Sequence, residues 1–354
     1  MKKVISIALV IVLAFSVIAL VGCGDKTGTD AEAPAAALKF GMGVVSSYTA
    51  KSATEEANGE GEFNTTAVAV LLDADNKIVA IDLDTAQIKP QWTADGKKVD
   101  VEDLRTKYDK GTDYNMATYG ANMDKNGDGK VLEWNEQADA FMATAIGKTL
   151  DEIKAFAGED MYAIGDLATA GCTINVAEFI GALEKAINNA EETTATADDT
   201  IKVALVTSQY YESKDATEEA EGLNQYDTTV VAAVTDAEGK VIIAKTDAAQ
   251  AKFGFDAKGV VTSEAGDIAT KLELGDDYNM ATYGANMDKN GDGKVLEWYA
   301  QADAFNAALV GKTAADFAAL AGADTYATGD LAAAGCTMAI GDMIKAAEAA
   351  VKAA

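Results

Sequence analysis

Two stretches of the chain crowd oxygen ligands into a few residues. Asp124-Lys125-Asn126-Gly127-Asp128-Gly129-Lys130-Val131 is one, and Asp288 to Val295 repeats it letter for letter. Oxygen-bearing side chains at alternate positions, then a glycine, then an apolar residue form the opening of a calcium-binding loop. The candidate ligands are Asp124, Asn126, Asp128 and Glu133, with Asp288, Asn290, Asp292 and Glu297 as their copies. The bidentate Glu that closes such a loop is missing: Asn135 and Tyr299 stand in its place, and Glu133 and Glu297 come two residues early. The same letters also form an Asn-Gly/Asp-Gly turn. Calcium and a plain turn are both open readings.

A quieter pattern lies further on. Asp166 to Thr173 reads DLATAGCT, and Asp330 to Thr337 reads DLAAAGCT. Each runs into an amphipathic stretch with helical spacing. A threonine at a helix start has a structural use, because its oxygen accepts from free backbone N–H groups. A phosphate at the same place is favoured by those N–H groups and by the helix dipole. Spacing does not separate the two.

The composition removes whole classes of chemistry. The chain has no histidine, which excludes Ser-His-Asp and Cys-His catalysis and His-ligated zinc or haem. Any metal site must use oxygen ligands, which suit calcium or magnesium. Three cysteines are too few for a disulfide scaffold or an iron–sulfur cluster. Cys172 and Cys336 read as small buried apolar residues. A formal charge of −28 repels phosphate backbones and argues against a nucleic-acid partner. It equally holds the folded body off anionic lipid.

These motifs sit in a duplicated unit. Asp113 to Trp134 recurs as Asp277 to Trp298, an offset of 164, with Glu133 and Glu297 inside it. Upstream the offset is 163: Ala53 to Ala57 matches Ala216 to Ala220. Each unit has the length of a domain, not of a solenoid repeat. The predicted boundaries are 38–190 and 201–354, joined by an acidic, Thr-rich linker at 191–200. Within a unit, Thr65 to Leu72 and Ile78 to Leu83 flank a polar turn and predict a β-hairpin. Val44 to Tyr48, and Val203 to Val206 in the second copy, suggest another strand. Trp134, Ala138, Phe141 and Ala145 then fall on one helical stripe, and Thr149 with Glu152 predicts a capping box. A last helix over Asn175 to Asn189 buries Val176, Phe179, Ile180, Leu183 and Ile187. Strands first and helices after is an α+β unit.

The first residues address the compartment. Met1-Lys2-Lys3, an uncharged run from Val4 to Val21, and Leu20-Val21-Gly22-Cys23 describe a signal peptide over 1–22. Leu-Val-Gly-Cys resembles the bacterial lipobox, which implies a lipid on Cys23 and an extracytoplasmic chain anchored to membrane lipid. Residues 23–37 read as a lipidated, flexible tether.

As a whole the unit resembles the FMN-binding domain family, which includes the C subunit of the sodium-pumping quinone reductase, the G subunit of the Rnf complex and lipoproteins of flavin-based extracellular electron transfer. Members carry Asp-x-x-(Ser/Thr)-Gly-Ala-Thr before a helix. Gly171-Cys172-Thr173 and Gly335-Cys336-Thr337 stand for Gly-Ala-Thr, with Asp166 and Asp330 one residue further upstream, and Ala170 and Ala334 in place of the Ser or Thr. The resemblance implies covalent FMN on Thr173 and Thr337, added by a flavin transferase and reduced by a membrane electron donor. Tyr114, Tyr119, Trp134, Tyr278, Tyr283 and Trp298 are the aromatic candidates to stack on a flavin, although core packing suits each Trp. The expected function is therefore an electron carrier. The alternative is a non-redox surface binding or scaffold lipoprotein, stabilised by calcium.

Overall fold

The computed structural model describes residues 37–120, 132–284 and 295–352. Cys23, the leader, nearly all of the tether, and Asp124, Asn126, Asp128, Asp288, Asn290 and Asp292 lie outside the described residues. The chain is mixed α/β, 31% helix and 33% strand, with two antiparallel sheets.

The first repeat opens with β1 (Leu38–Lys51), β2 (Gly59–Leu72) and β3 (Ile78–Ile88). β1 pairs with β2 from Lys39↔Leu72 to Lys51↔Glu60, and β2 pairs with β3 from Phe63↔Ile88 to Leu72↔Ile78. The hairpin turns where Asp73 Oδ1 accepts from the N–H groups of Asp75 and Lys77. Two short strands follow, β4 (Gln91–Trp92) and β5 (Lys98–Val99). Then come α1 (Lys107–Lys110), α2 (Met116–Gly120), α3 (Trp134–Ala145), α4 (Leu150–Lys154), α5 (Gly165–Thr169) and α6 (Ala177–Asn188). The capping box at Thr149 forms, with Thr149 N donating to Glu152 Oε2 at 2.8 Å.

The second repeat repeats the plan. β7 (Thr200–Gln209), β8 (Gly222–Thr235) and β9 (Val241–Phe255) form its sheet. Its helices are α7 (Lys271–Leu274), α8 (Met280–Gly284), α9 (Trp298–Leu309), α10 (Ala314–Phe317), α11 (Gly329–Ala333) and α12 (Gly341–Ala350).

Both faces of each sheet are covered, which explains why β2 reads as an unbroken apolar run instead of alternating with polar residues. Val68, Val70 and Leu72 face the helices, among Trp134, Phe141, Phe179 and Leu183. Ala67, Ala69 and Leu71 face the other sheet and share one core with Val203, Leu205, Val230, Ala232 and Val234. The layers therefore run helices, sheet, sheet, helices, with the two repeats back to back. α6 lies hard against β1: a Cβ on Gly41 would come 1.9 Å from the Ala186 carbonyl oxygen, and one on Gly43 2.0 Å from that of Ala182.

The repeats also exchange backbone. Ala53 N–H donates to the Gly259 carbonyl at 2.8 Å, and Ala216 N–H donates to that of Gly96 at 2.7 Å. These two bonds are copies of each other at the offset of 163. The segment that joins the repeats contributes strand β6 (Glu191–Thr193), paired with β1, and Ala195 is buried. β10 (Gly266–Asp267) of the second repeat adds to the opposite stretch of β1, with Ser47 opposite Asp267.

Candidate functional site

The Gly-Cys-Thr segments have a definite structural occupation. Thr173 and Thr337 do not cap the helices that follow. The N-cap positions are Val176 and Ile340, and in the first copy Asn175 Oδ1 accepts from Ala177 N–H instead. Both threonines are held by a buried glutamine of the preceding long helix. Gln137 Oε1 accepts from Thr173 N at 2.9 Å and from its hydroxyl at 3.3 Å, while Gln137 Nε2 donates to the Leu132 carbonyl. Gln301 does the same for Thr337 N and Met338 N, and donates to the Leu296 carbonyl. Each glutamine thus clips two loops together with all its buried polar atoms satisfied. Thr337 is only 8% exposed.

The neighbours fit the same structural account. Gly171 and Gly335 have φ of +112° and +103°, where a Cβ would strike Leu132 and Leu296. Cys172 and Cys336 are free and wholly buried, and burial pushes their thiols up to about 12 and about 11. Asp166 and Asp330 are exposed on the one-turn helices α5 and α11. Neither lines the cavities described next.

Glu133 and Glu297 also have work within the fold. Glu133 Oε2 accepts from Met116 N, and Glu297 Oε2 accepts from Met280 N, both at 2.8 Å. These carboxylates cap α2 and α8, and Glu133 and Glu297 are themselves the N-cap residues of α3 and α9, so each ties the start of one helix to the start of the next. Among the described residues no group of three His, Cys, Asp or Glu side chains is placed to hold a metal ion.

What the structure does bring together is a pair of equivalent cavities, one per repeat, beside the first turns of α6 and α12. The cavity of the first repeat, about 450 Å³, is walled by Lys107, Trp134, Phe179 and Tyr162, with Glu62, Asn64, Gln87, Asn175 and Glu178 supplying polar atoms. That of the second, about 410 Å³, is walled by Lys271, Trp298 and Met343, with Thr229, Thr325, Asp342 and Lys345. Lys107 and Lys271, Trp134 and Trp298, and Glu178 and Asp342 are copies at the offset of 164.

Each lysine is placed by the same construction. α1 and α7 are single turns capped by buried Thr106 and Thr270, whose hydroxyls accept from Asp109 N and Glu273 N. A carboxylate on the sheet anchors each turn: Asp84 Oδ1 accepts from Tyr108 N, and Asp247 Oδ1 from Leu272 N. Burial pushes these carboxyls up to about 7 and about 6. The lysine ammonium then lies over two rings, 5.2 Å from Tyr114 and 5.6 Å from Trp134 in the first copy. In the second copy the distances are 5.0 Å to Tyr278 and 5.7 Å to Trp298. Burial holds the Lys107 ammonium below its ordinary value, and the charges of Glu178 and Glu62 oppose that shift.

The floor of the first cavity is a fixed polar network. Tyr114 Oη donates to Gln87 Oε1, Gln87 Nε2 donates to Asn64 and Glu62, and Thr66 Oγ1 donates to Glu178 Oε2 at 2.9 Å. Sequence reasoning singled out Tyr114 and Trp134, yet missed Lys107 and Lys271. Their signal was present, because Thr-Lys precedes Gly-x-Asp-Tyr-Asn-Met in both copies. No protein-family model, curated protein or solved structure matches this chain.

Proposed function

We propose that the chain is a lipid-anchored, extracytoplasmic binding protein with one small-molecule site in each repeat. One observation carries this reading: the same cavity forms twice, with an equivalent lysine held over the same two rings. Concave sites with an apolar wall and a few convergent polar groups are where small ligands bind. The lipobox at Cys23 supplies the anchor, and no described helix is long and apolar enough to cross a membrane. Because Trp134 and Trp298 line the cavities, tryptophan emission of the mature chain reports occupancy. A small-molecule library should contain probes that shift this emission, with Trp134→Phe and Trp298→Phe each removing one component. If no probe shifts it, the chain is a scaffold. Cys23→Ser should release the protein from the membrane fraction, and retention would remove the lipid from the proposal.

The flavin reading has one specific support. In both copies Gly-Cys-Thr leads directly into residues that line the cavity, Ile174 and Asn175 in the first and Ala339 in the second. The threonines themselves fit a phosphoester poorly. The Thr173 hydroxyl is bonded to Gln137, and Thr337 is nearly closed to solvent. The geometry therefore favours non-covalent binding over flavin attached through these hydroxyls.

A further inference from the structure

One difference between the two cavities names their ligands, given the binding reading above. Neither the Lys107 nor the Lys271 ammonium makes a hydrogen bond or ion pair among the described residues. Each ammonium rests on aromatic faces and points into its cavity. For Lys107, burial of an ammonium that touches no carboxylate directly is costly unless something pairs with it. A cation–π contact recovers only about 0.5–2 kcal/mol. A carboxylate or similar anion is the natural complement.

The carboxylate facing each lysine is treated differently in the two copies. In the first repeat Glu178 gives one oxygen, Oε2, to Thr66, and no cation of the chain pairs with it among the described residues. In the second repeat its copy Asp342 is paired with Lys345, whose Nζ lies 2.8 Å from Asp342 Oδ1. Lys345 stands where the first repeat has Gly181. The second cavity thus carries at its exposed rim an ammonium, paired with Asp342, that the first one lacks.

We propose that the first cavity binds a small zwitterion of the amino-acid kind, its carboxylate on Lys107 and its ammonium on Glu178, while the second binds the simple carboxylate counterpart on Lys271. The polar floor of Glu62, Asn64 and Gln87 is already hydrogen-bonded within itself, so little ordering is needed when the ligand enters.

Calorimetric titration of the full mature chain with alanine, propionate and ethylamine tests this. Alanine should bind at one site and propionate at the other, with ethylamine binding at neither. Lys107→Met should abolish alanine binding and spare propionate, and Lys271→Met should do the reverse. Glu178→Gln should weaken alanine by at least about tenfold, the loss of one charge-assisted hydrogen bond. Lys345→Gly should open a second alanine site, a gain that general destabilisation does not produce, and circular dichroism melts confirm that each variant is folded. Alanine binding unchanged by Lys107→Met overturns the proposal. If neither alanine nor propionate binds, but another probe shifts Trp134 emission and loses that effect in Lys107→Met, the ligand class is wrong and the binding reading stands. If nothing shifts Trp134 or Trp298, both fail.

Discussion

Trp92 lies flat on Phe255, with ring centroids 5.4 Å apart and planes 2° from parallel, and the two residues hold the same position in their respective repeats. A residue that meets its own equivalent marks a two-fold, isologous contact. The positions around it obey the same symmetry. Gly59 leaves room for Trp92 and its copy Gly222 leaves room for Phe255; a Cβ on either would come within 2.4 Å of the ring. Trp92 Nε1 also donates to the Gly259 carbonyl, the same oxygen that Ala53 N–H reaches. The two repeats are packed as the subunits of a dimer would be, within one chain.

A shared core predicts shared melting. Thermal unfolding of the mature chain should show one transition, coincident by circular dichroism and by tryptophan emission. Trp92→Ala should lower stability by about 3–5 kcal/mol, the usual loss for emptying a large aromatic site. A protease site inserted at 196–199 should yield halves that still co-elute. Two separated transitions, or halves that part on a sizing column, would show that the repeats stand alone.

Stability should rise as the pH falls towards 5. Asp84 and Asp247, and Asp82 beside the Val203 N–H, have carboxyls raised by burial from 3.8 to about 7, about 6 and about 6. A carboxyl raised in the folded state binds its proton more tightly there than in the unfolded chain. Its contribution is present below the unfolded value and is lost as pH rises through the folded one. The window of loss is therefore about pH 4 to 7. Exposed carboxyls held low by neighbours, such as Asp103 beside Arg105, act in the opposite sense only below about pH 4. The melting temperature should be higher at pH 5 than at pH 8, and Asp84→Asn with Asp247→Asn should flatten the difference. A profile that still falls as steeply in the double variant would assign the effect to the general negative charge.

How much of this was legible in sequence depended on whether a feature was local. The β2–β3 hairpin, the Trp134 stripe and the Thr149 box follow from spacing alone. The packing of sheet on sheet does not, since the apolar run at Ala67 to Leu72 shows that both faces are buried but not what buries them. Thr173 reads in sequence as either a cap or a phosphate holder, because it precedes a helix. In the structure Asn175, next to the N-cap Val176, accepts from the first helical N–H, and Thr173 is tied to Gln137, 36 residues away in sequence. Long-range partners of this kind leave no periodic trace. Lys107 and Lys271 could have been found as a repeated cation beside repeated aromatics, but a lysine next to Asp and Tyr usually reads as surface.

The glutamine clips should be worth more than ordinary side-chain hydrogen bonds. Gln137→Ala would leave the Thr173 N–H and the Leu132 carbonyl without partners in a closed site. Each orphaned group costs about 1–3 kcal/mol. The denaturation midpoint should drop for Gln137→Ala and for Gln301→Ala alike. Thr173→Val keeps the backbone contact and should lose less than about 1 kcal/mol. Equal losses for Gln137→Ala and Thr173→Val would contradict this ranking.

The calcium proposal rests on residues 124–128 and 288–292, which lie outside the described residues, so its test is thermodynamic. Going from chelator to several millimolar calcium, about the range of extracellular modules, should raise the melting temperature by mass action. The response should vanish in the double variant Asp124→Asn, Asp288→Asn. An unchanged melting temperature in the wild type leaves only turns, with Glu133 and Glu297 serving as caps for α2 and α8.

The threonines supply the sharpest contrast between binding protein and electron carrier. A transferase must reach the hydroxyl that it esterifies. Thr337 is 8% exposed in a segment whose backbone is bonded to Gln301, so it is the poorer acceptor. Thr173 is less buried, but its hydroxyl must first leave Gln137 Oε1. Breaking that neutral bond costs about 0.5–1.5 kcal/mol, too little to bar modification by itself. Burial is the larger obstacle, and it differs between the copies. Mass spectrometry of the chain co-expressed with an active flavin transferase should therefore show no added mass, or at most one FMN, on Thr173. Two FMN masses lost singly in Thr173→Val and Thr337→Val would mean that both segments open to the transferase, and would replace the binding reading with an electron carrier.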